Sequence, residues 1–167
     1  MKKTAKQYIF SKGLFFYGIP TAVLCLIIFT FTVKGDFNLT AIANDLPLGA
    51  FITIFICTAS CIPGIKADVK KGTVGDLTLT NSEHPVYRKL PDNLILQTLI
   101  FSLIGTAVFT LIPIGLFTSF FPDILIKKTT YVILKSLYTG LYINIIIRHV
   151  AACNIGQIKN KYSLQVD

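Results

Sequence analysis

Charged residues are scarce in this chain of 167 residues, at 14% of the total, whereas soluble domains average about 25%. Acidic residues are the scarcer kind, with 8 Asp and Glu against 16 Lys and Arg. Apolar residues reach 53%, and the mean hydropathy is +0.66. This balance excludes an ordinary soluble globular domain.

The apolar residues are concentrated in long runs that contain no Asp or Glu. We assign membrane spans to 13–33, 46–65, 94–117 and 130–150, with a cytoplasmic loop at 66–93. At about 1.5 Å per residue each run can cross a hydrocarbon core as a helix, whereas an open strand would leave its backbone unpaired in lipid. The predicted fold is therefore all-α, a polytopic transmembrane four-helix bundle within a single integral membrane domain, 1–167. The similar layout of its two halves raises the alternative of two helical hairpins.

Proline and capping residues predict where these helices begin, bend and end. An Asn-Asp pair before Leu46, with a proline directly after it, predicts that the second helix begins there. Pro63 predicts its end. Pro20 predicts a kink in the first helix, and Pro113 predicts a kink or an early stop in the third. An early stop would leave 115–121 at the membrane surface.

Most basic residues lie in the amino-terminal segment, in the loop 66–93 and in the carboxy-terminal tail. Because loops rich in Lys and Arg stay in the cytoplasm, we expect a cell-membrane protein with both termini cytoplasmic. The net charge of +8 is explained by this asymmetry and calls for no nucleic-acid partner. The cytoplasmic loop is expected to be structured, because 76–80 alternates polar and apolar residues and can pair with 86–87 as a hairpin.

The fourth run carries the most polar surface. Its apolar part, 129–147, is interrupted only by Lys135, the one charged residue inside an apolar run. Spacings of 4, 3, 4 and 7 place the following residues on one helical face: Tyr131, Lys135, Tyr138, Tyr142 and His149. Together with Thr139, the first four form a candidate pathway or binding surface, in which Lys135 attracts an anion and the tyrosines donate hydrogen bonds. In the alternative interpretation Lys135 extends outward to water and the tyrosines pack between helices.

Cysteine and histidine spacing raises a second hypothesis. Cys57 and Cys61 are four residues apart, as are His149 and Cys153. If the ends of the second and fourth helices meet, these four side chains could bind a soft metal ion. Buried cysteines also serve simply as small apolar residues, so apart from this hypothesis no cofactor is expected.

Small residues recur four apart in three of the runs, a spacing that allows helix backbones to approach closely. The pairs are Ser60 and Gly64, Ser102 and Thr106, and Ser136 and Gly140.

Catalytic motifs are missing from the sequence: it has no H-E-x-x-H, no Cys-x-x-Cys and no glycine-rich phosphate loop. The lack of acidic residues in the runs also argues against a proton-coupled carboxylate antiporter. We therefore expect a non-enzymatic small permease, or a membrane subunit of a transport complex, in contact with the lipid bilayer. Its partner would be a second copy in a homo-oligomer or another membrane protein. A stand-alone permease should need the homo-oligomer, because four short helices rarely enclose a cavity of roughly 300 Å³. The alternatives are a membrane-embedded thiol or metal enzyme or redox protein, and a non-catalytic accessory or immunity protein.

Overall fold

In the computed structural model, which describes residues 3–76, 90–120 and 125–163, four long helices account for most of the chain. They are α1 (Ala5–Thr32), α2 (Leu39–Lys70), α3 (Leu94–Phe120) and α4 (Lys128–Ser163). Each of the four is long and apolar enough to cross a membrane. The predicted all-α class is confirmed.

Short strands pair with one another at each of the two ends of the molecule. At one end, β1 (Lys3–Thr4) pairs in parallel with β3 (Val74–Asp76); at the other, β2 (Phe37–Asn38) pairs antiparallel with β4 (Leu125–Ile126). We call these the β1 end and the β2 end. Ile155 of α4 lies in the same apolar cluster as residues of β3 and the start of α1. The amino-terminal segment, the chain after α2 and the last turns of α4 therefore share the β1 end, as the charge distribution predicts. Most of the predicted hairpin, 77–80 and 86–87, lies outside the described residues.

Helix α2 is longer than predicted at both ends. The Asn38 side chain accepts a hydrogen bond from the Ala41 N–H at 2.8 Å and caps the helix well before Leu46. At the other end the helix continues past Pro63 to Lys70. The boundaries expected from the sequence are wrong because a proline removes only one backbone hydrogen bond, which a long packed helix tolerates. The loop that follows is correspondingly shorter than 66–93.

A π-helical turn precedes the proline in both α1 and α3. These turns span Lys12–Gly18 and Ala107–Leu111, and in the second the Ile112 N–H bonds to a carbonyl five residues back. A proline ring clashes with the carbonyl four residues before it and donates no hydrogen bond, so a widened turn accommodates it. Helix α3 then continues to Phe120, and the early stop expected at Pro113 is wrong.

Helix α4 is the most buried of the four helices. In its most apolar 18-residue segment 61% of the residues are buried inside the protein, against 11% in the corresponding segment of α1. It packs against α1 and α2, and α2 also packs against α3. The alternative prediction of two hairpins would pair α1 with α2 and α3 with α4. The most extensive helix contacts are instead those of α4 with α1 and α2, and of α2 with α3.

Glycines explain why α1 packs so closely on α4. A Cβ added to Gly140 would lie 2.7 Å from the Gly18 carbonyl oxygen and 2.6 Å from the Ala22 Cβ. The two backbones therefore touch where the Ser136 and Gly140 spacing predicts close approach. The same prediction is wrong for Gly64, where a Cβ would meet no atom within 4 Å.

Candidate functional site

A cavity of about 460 Å³ lies at the β2 end, between α2, α3 and α4. Its wall is mainly apolar and includes Ile42, Leu46, Phe109, Ile114, Phe117 and Leu134. Thr110 and three predicted pathway residues, Tyr131, Lys135 and Tyr138, also line it, but almost none of their polar surface faces the cavity. The cavity forms within a single chain but is about half open at the surface, so the expectation that four short helices rarely enclose a cavity of this size stays a prediction.

Lys135 lies in the wall of this cavity with only 8% of its surface exposed. Its ammonium forms an ion pair with the Asp45 carboxylate and lies 4.1 Å from the centroid of the Phe29 ring. The lysine is therefore held among α1, α2 and α4. It does not extend outward to water, which is what the alternative interpretation expected. A buried ammonium requires such partners, since an unpaired charge away from water is costly.

Asp45 is the member of this site that sequence analysis missed. Its Oδ2 accepts a hydrogen bond from the Tyr131 hydroxyl at 2.6 Å as well as pairing with Lys135. The Tyr131 ring in turn stacks on Phe37 at a centroid distance of 4.2 Å. Apolar residues at 39, 42 and 46 continue the helical period upstream of the predicted start, and this signal could have placed Asp45 inside the helix.

The Tyr138 hydroxyl supplies a hydrogen bond to α3 that Pro113 cannot donate. The hydroxyl donates to the Phe109 backbone carbonyl at 2.7 Å. Phe109 lies four residues before Pro113, which has no N–H to offer that carbonyl. The tyrosine hydroxyl therefore replaces the missing backbone donor where α3 borders the cavity.

The other two predicted pathway residues lie close to the cavity without lining it. The Thr139 hydroxyl donates to the Lys135 backbone carbonyl at 2.7 Å. The Tyr142 ring stacks on Phe109 at 6.0 Å and meets the Tyr138 ring edge-on at 5.6 Å. Both residues therefore support the side chains in the wall.

A second cluster of the same composition lies at the β1 end. Asp68 of α2 accepts a hydrogen bond from the Tyr8 hydroxyl at 2.7 Å and pairs with the Lys12 ammonium at 2.8 Å. Tyr8 and Lys12 are four residues apart on α1, as Tyr131 and Lys135 are on α4. We call these the Tyr8–Asp68–Lys12 cluster and the Tyr131–Asp45–Lys135 cluster.

The structure does not bring together the four residues of the predicted metal site, Cys57, Cys61, His149 and Cys153. Within the described residues, no three or more His, Cys, Asp and Glu side chains are grouped to hold a metal ion. Cys57 faces Thr21 of α1 at 3.8 Å, whereas Cys153 faces Gln97 of α3 at 3.3 Å. His149 is exposed, although its spacing of seven residues from Tyr142 places both on one helical face. The two cysteine-bearing helices thus direct their thiols toward different neighbours.

No family model, curated protein or solved structure matches this chain. Its function is therefore argued from the geometry of the cavity and of the two charged clusters.

Proposed function

We propose that this chain is an integral protein of the cell membrane with both termini in the cytoplasm. Large apolar side chains are exposed along α1 and α3, among them Phe15, Phe16, Leu24, Leu103 and Ile104, as expected for surfaces that contact lipid. The β1 end holds the amino-terminal lysines and those at the end of α2. The positive-inside rule therefore assigns this end to the cytoplasm.

Within that membrane, we propose that the chain is a non-enzymatic permease for an amphipathic anion, an apolar solute that carries one negatively charged group. The observation that carries this proposal is Lys135, a buried lysine that lines an almost wholly apolar cavity and whose ammonium pairs with Asp45. The apolar wall would take the body of the solute, and the ammonium would take its charged group. A second copy of the chain or another membrane protein as partner stays a prediction, which native mass spectrometry of the extracted protein can check.

Asp45 makes reversible binding possible. Its side chain is 41% exposed, and it keeps the Tyr131 hydrogen bond when Lys135 leaves it. The lysine side chain is only 7% exposed, so it leaves its partner only when another anion takes the place of Asp45. The proposed cycle exchanges one ion pair for another, and release of the solute restores the pair with Asp45.

The test compares decanoate with decanol, which share a chain length and differ in charge. Binding is measured by calorimetry on the full chain in nanodiscs of zwitterionic lipid, with empty nanodiscs subtracted. We expect decanoate to bind roughly tenfold more tightly, the value of one hydrogen bond to a charged group. Lys135→Leu should abolish this preference. Asp45→Asn should strengthen decanoate binding, because the competing carboxylate is gone.

The matched controls are Lys12→Leu and Asp68→Asn, which change the equivalent cluster at the opposite end. Both should leave the preference for decanoate unchanged. If Asp45→Asn and Lys135→Leu weaken decanoate binding equally, or if decanol binds as tightly as decanoate, the ion pair has only a structural role and the proposal fails.

A further inference from the structure

One face of α3 carries four buried hydroxyl side chains at intervals of four residues: Thr98, Ser102, Thr106 and Thr110. Residues at this interval lie above one another on a helix, and at 1.5 Å per residue the row is about 18 Å long. Thr110 lines the cavity at the β2 end. The row therefore leads from the cavity toward the β1 end; we call it the hydroxyl row.

Half of the hydroxyl row bonds back to its own helix. Ser102 donates to the Thr98 carbonyl at 2.8 Å, and Thr110 donates to the Thr106 carbonyl at 2.6 Å. The hydroxyls of Thr98 and Thr106 find no hydrogen-bond partner among the described residues, and neither does that of Thr58 on the neighbouring α2. A buried hydroxyl left unbonded costs about 1 to 3 kcal/mol, so three such groups on the packed helices α2 and α3 call for a ligand.

The polar groups continue beyond Thr98 to the β1 end. Asn154 of α4 donates to the Gln97 side-chain oxygen at 3.3 Å, and Gln157 donates to the Leu90 carbonyl at 3.0 Å. Within the part of the chain that the structure describes, the side-chain oxygens of Asn154 and Gln157 accept no hydrogen bond. Unsatisfied oxygens therefore extend along α3 and onto α4.

The chemistry of these groups identifies the ligand. Amide oxygens need donors, and hydroxyls can both donate and accept, so the ligand must carry both functions. None of the hydroxyl and amide side chains is ionisable, and a bound cation would gain no countercharge from them. Water meets both conditions, and a buried water molecule typically forms two to four hydrogen bonds to such otherwise unsatisfied groups.

We propose that a file of water molecules follows the hydroxyl row from the cavity to the amide groups of Asn154 and Gln157. This inference rests on the proposed function only for the role of the water file in transport, and not for the presence of the water. In the permease, the water file would solvate the charged end of the solute on the side of the cavity that faces the cytoplasm. The file itself is a property of the unliganded protein.

Water-edited solid-state NMR of the full chain in lipid bilayers tests the proposal directly. With threonine and leucine labelled, magnetisation transferred from water should reach Thr98 and Thr106 several-fold faster than Leu103. Leu103 is the matched reference, because it lies on the same helix next to Ser102 and is 60% exposed on the outward face. Transfer to the two threonines as slow as to Leu103 would overturn the water file.

A second measurement replaces Thr98 and Thr106 by valine, which has the same shape without the hydroxyl. If the row is hydrated, the double variant loses hydrogen bonds to water and its unfolding midpoint falls. If the row is dry, two unsatisfied hydroxyls disappear, the midpoint rises, and the proposal is overturned. Thr30→Val is the control, since that exposed hydroxyl donates to the Leu26 carbonyl at 2.7 Å. Neither measurement uses a solute, so a dry row and a failed decanoate preference are separate outcomes.

Discussion

Asp45 and Asp68 occupy equivalent positions near opposite ends of α2, about 35 Å apart at 1.5 Å per residue. Each accepts a tyrosine hydroxyl at Oδ2, and each pairs there with the lysine four residues after that tyrosine. The separation is close to the thickness of a bilayer's hydrocarbon core. One neutralised carboxylate near each end of α2 thus joins this helix to α4 at one end and to α1 at the other.

The two partners of the Tyr131–Asp45–Lys135 cluster should differ in what their loss costs. Asp45→Asn leaves the buried Lys135 ammonium without a countercharge, and we expect it to lower the free energy of unfolding by about 3 kcal/mol. Lys135→Leu should cost clearly less, because Asp45 is partly exposed. Chemical denaturation in detergent measures both, and the double variant should recover most of the loss. Equal costs for the two single variants would contradict this assignment.

Tyr138 and Pro113 should be energetically coupled through the Phe109 carbonyl. Tyr138→Phe removes the hydroxyl donor and is expected to cost about 1 kcal/mol of unfolding free energy. In a Pro113→Ala background the alanine N–H can supply the backbone donor, so the same tyrosine substitution should cost little. A double-mutant cycle on the denaturation midpoints gives the coupling, and additive effects would show that the hydroxyl does not replace the missing donor.

Gly140→Ala should destabilise the protein by separating α1 from α4. The added Cβ would lie 2.7 Å from the Gly18 carbonyl oxygen, a backbone atom that cannot move without shifting a helix. Gly115→Ala is the matched control, because a Cβ there meets no atom within 4 Å. The control should be neutral or stabilising by up to about 1 kcal/mol, since alanine is the better helix former. Thermal unfolding of the two variants would refute the close contact if they behaved alike.

Cysteine labelling checks the orientation in the membrane. In a background without the four native cysteines, Lys127→Cys at the β2 end should react with an impermeant maleimide added to intact cells. Thr73→Cys at the β1 end should react only after the membrane is permeabilised. Labelling in the reverse pattern would place the β1 end outside and would contradict the cytoplasmic assignment of both termini.

The number of helices and the grouping of their ends could be predicted from the sequence, because hydropathy and lysine distribution are properties of the chain itself. The length of α2 could not be predicted by the same criterion, since a run ends at the first charge. Asp45 and Asp68 can lie inside the helix because each is neutralised by a lysine on another helix. That lysine is more than fifty residues away in the sequence, so the residues of a single run do not reveal it.

The separation of Cys57 from Cys153 illustrates what residue spacing along a helix leaves open. Spacing fixes which residues share a face of one helix, and Cys57 and Cys61 are four apart as stated. It does not fix which neighbour that face meets. Cys57 turns toward α1 and Cys153 toward α3, a difference that depends on which helices pack together. The row of hydroxyls was visible in part, as the Ser102 and Thr106 pair, but its unbonded oxygens required the packed structure.

The central position of α4 has a consequence for biogenesis. Of the four helices it comes fourth in the chain. Its most apolar 18-residue segment has the lowest mean hydropathy of the four and is the one most covered by protein. Its first backbone N–H, at Lys128, donates to the Asp36 carboxylate at 2.9 Å, in the connection between α1 and α2. In the proposed membrane protein, the helix least suited to lipid alone enters a site formed by the three helices that precede it. Insertion of this fourth span and assembly of the four helices are then the same event.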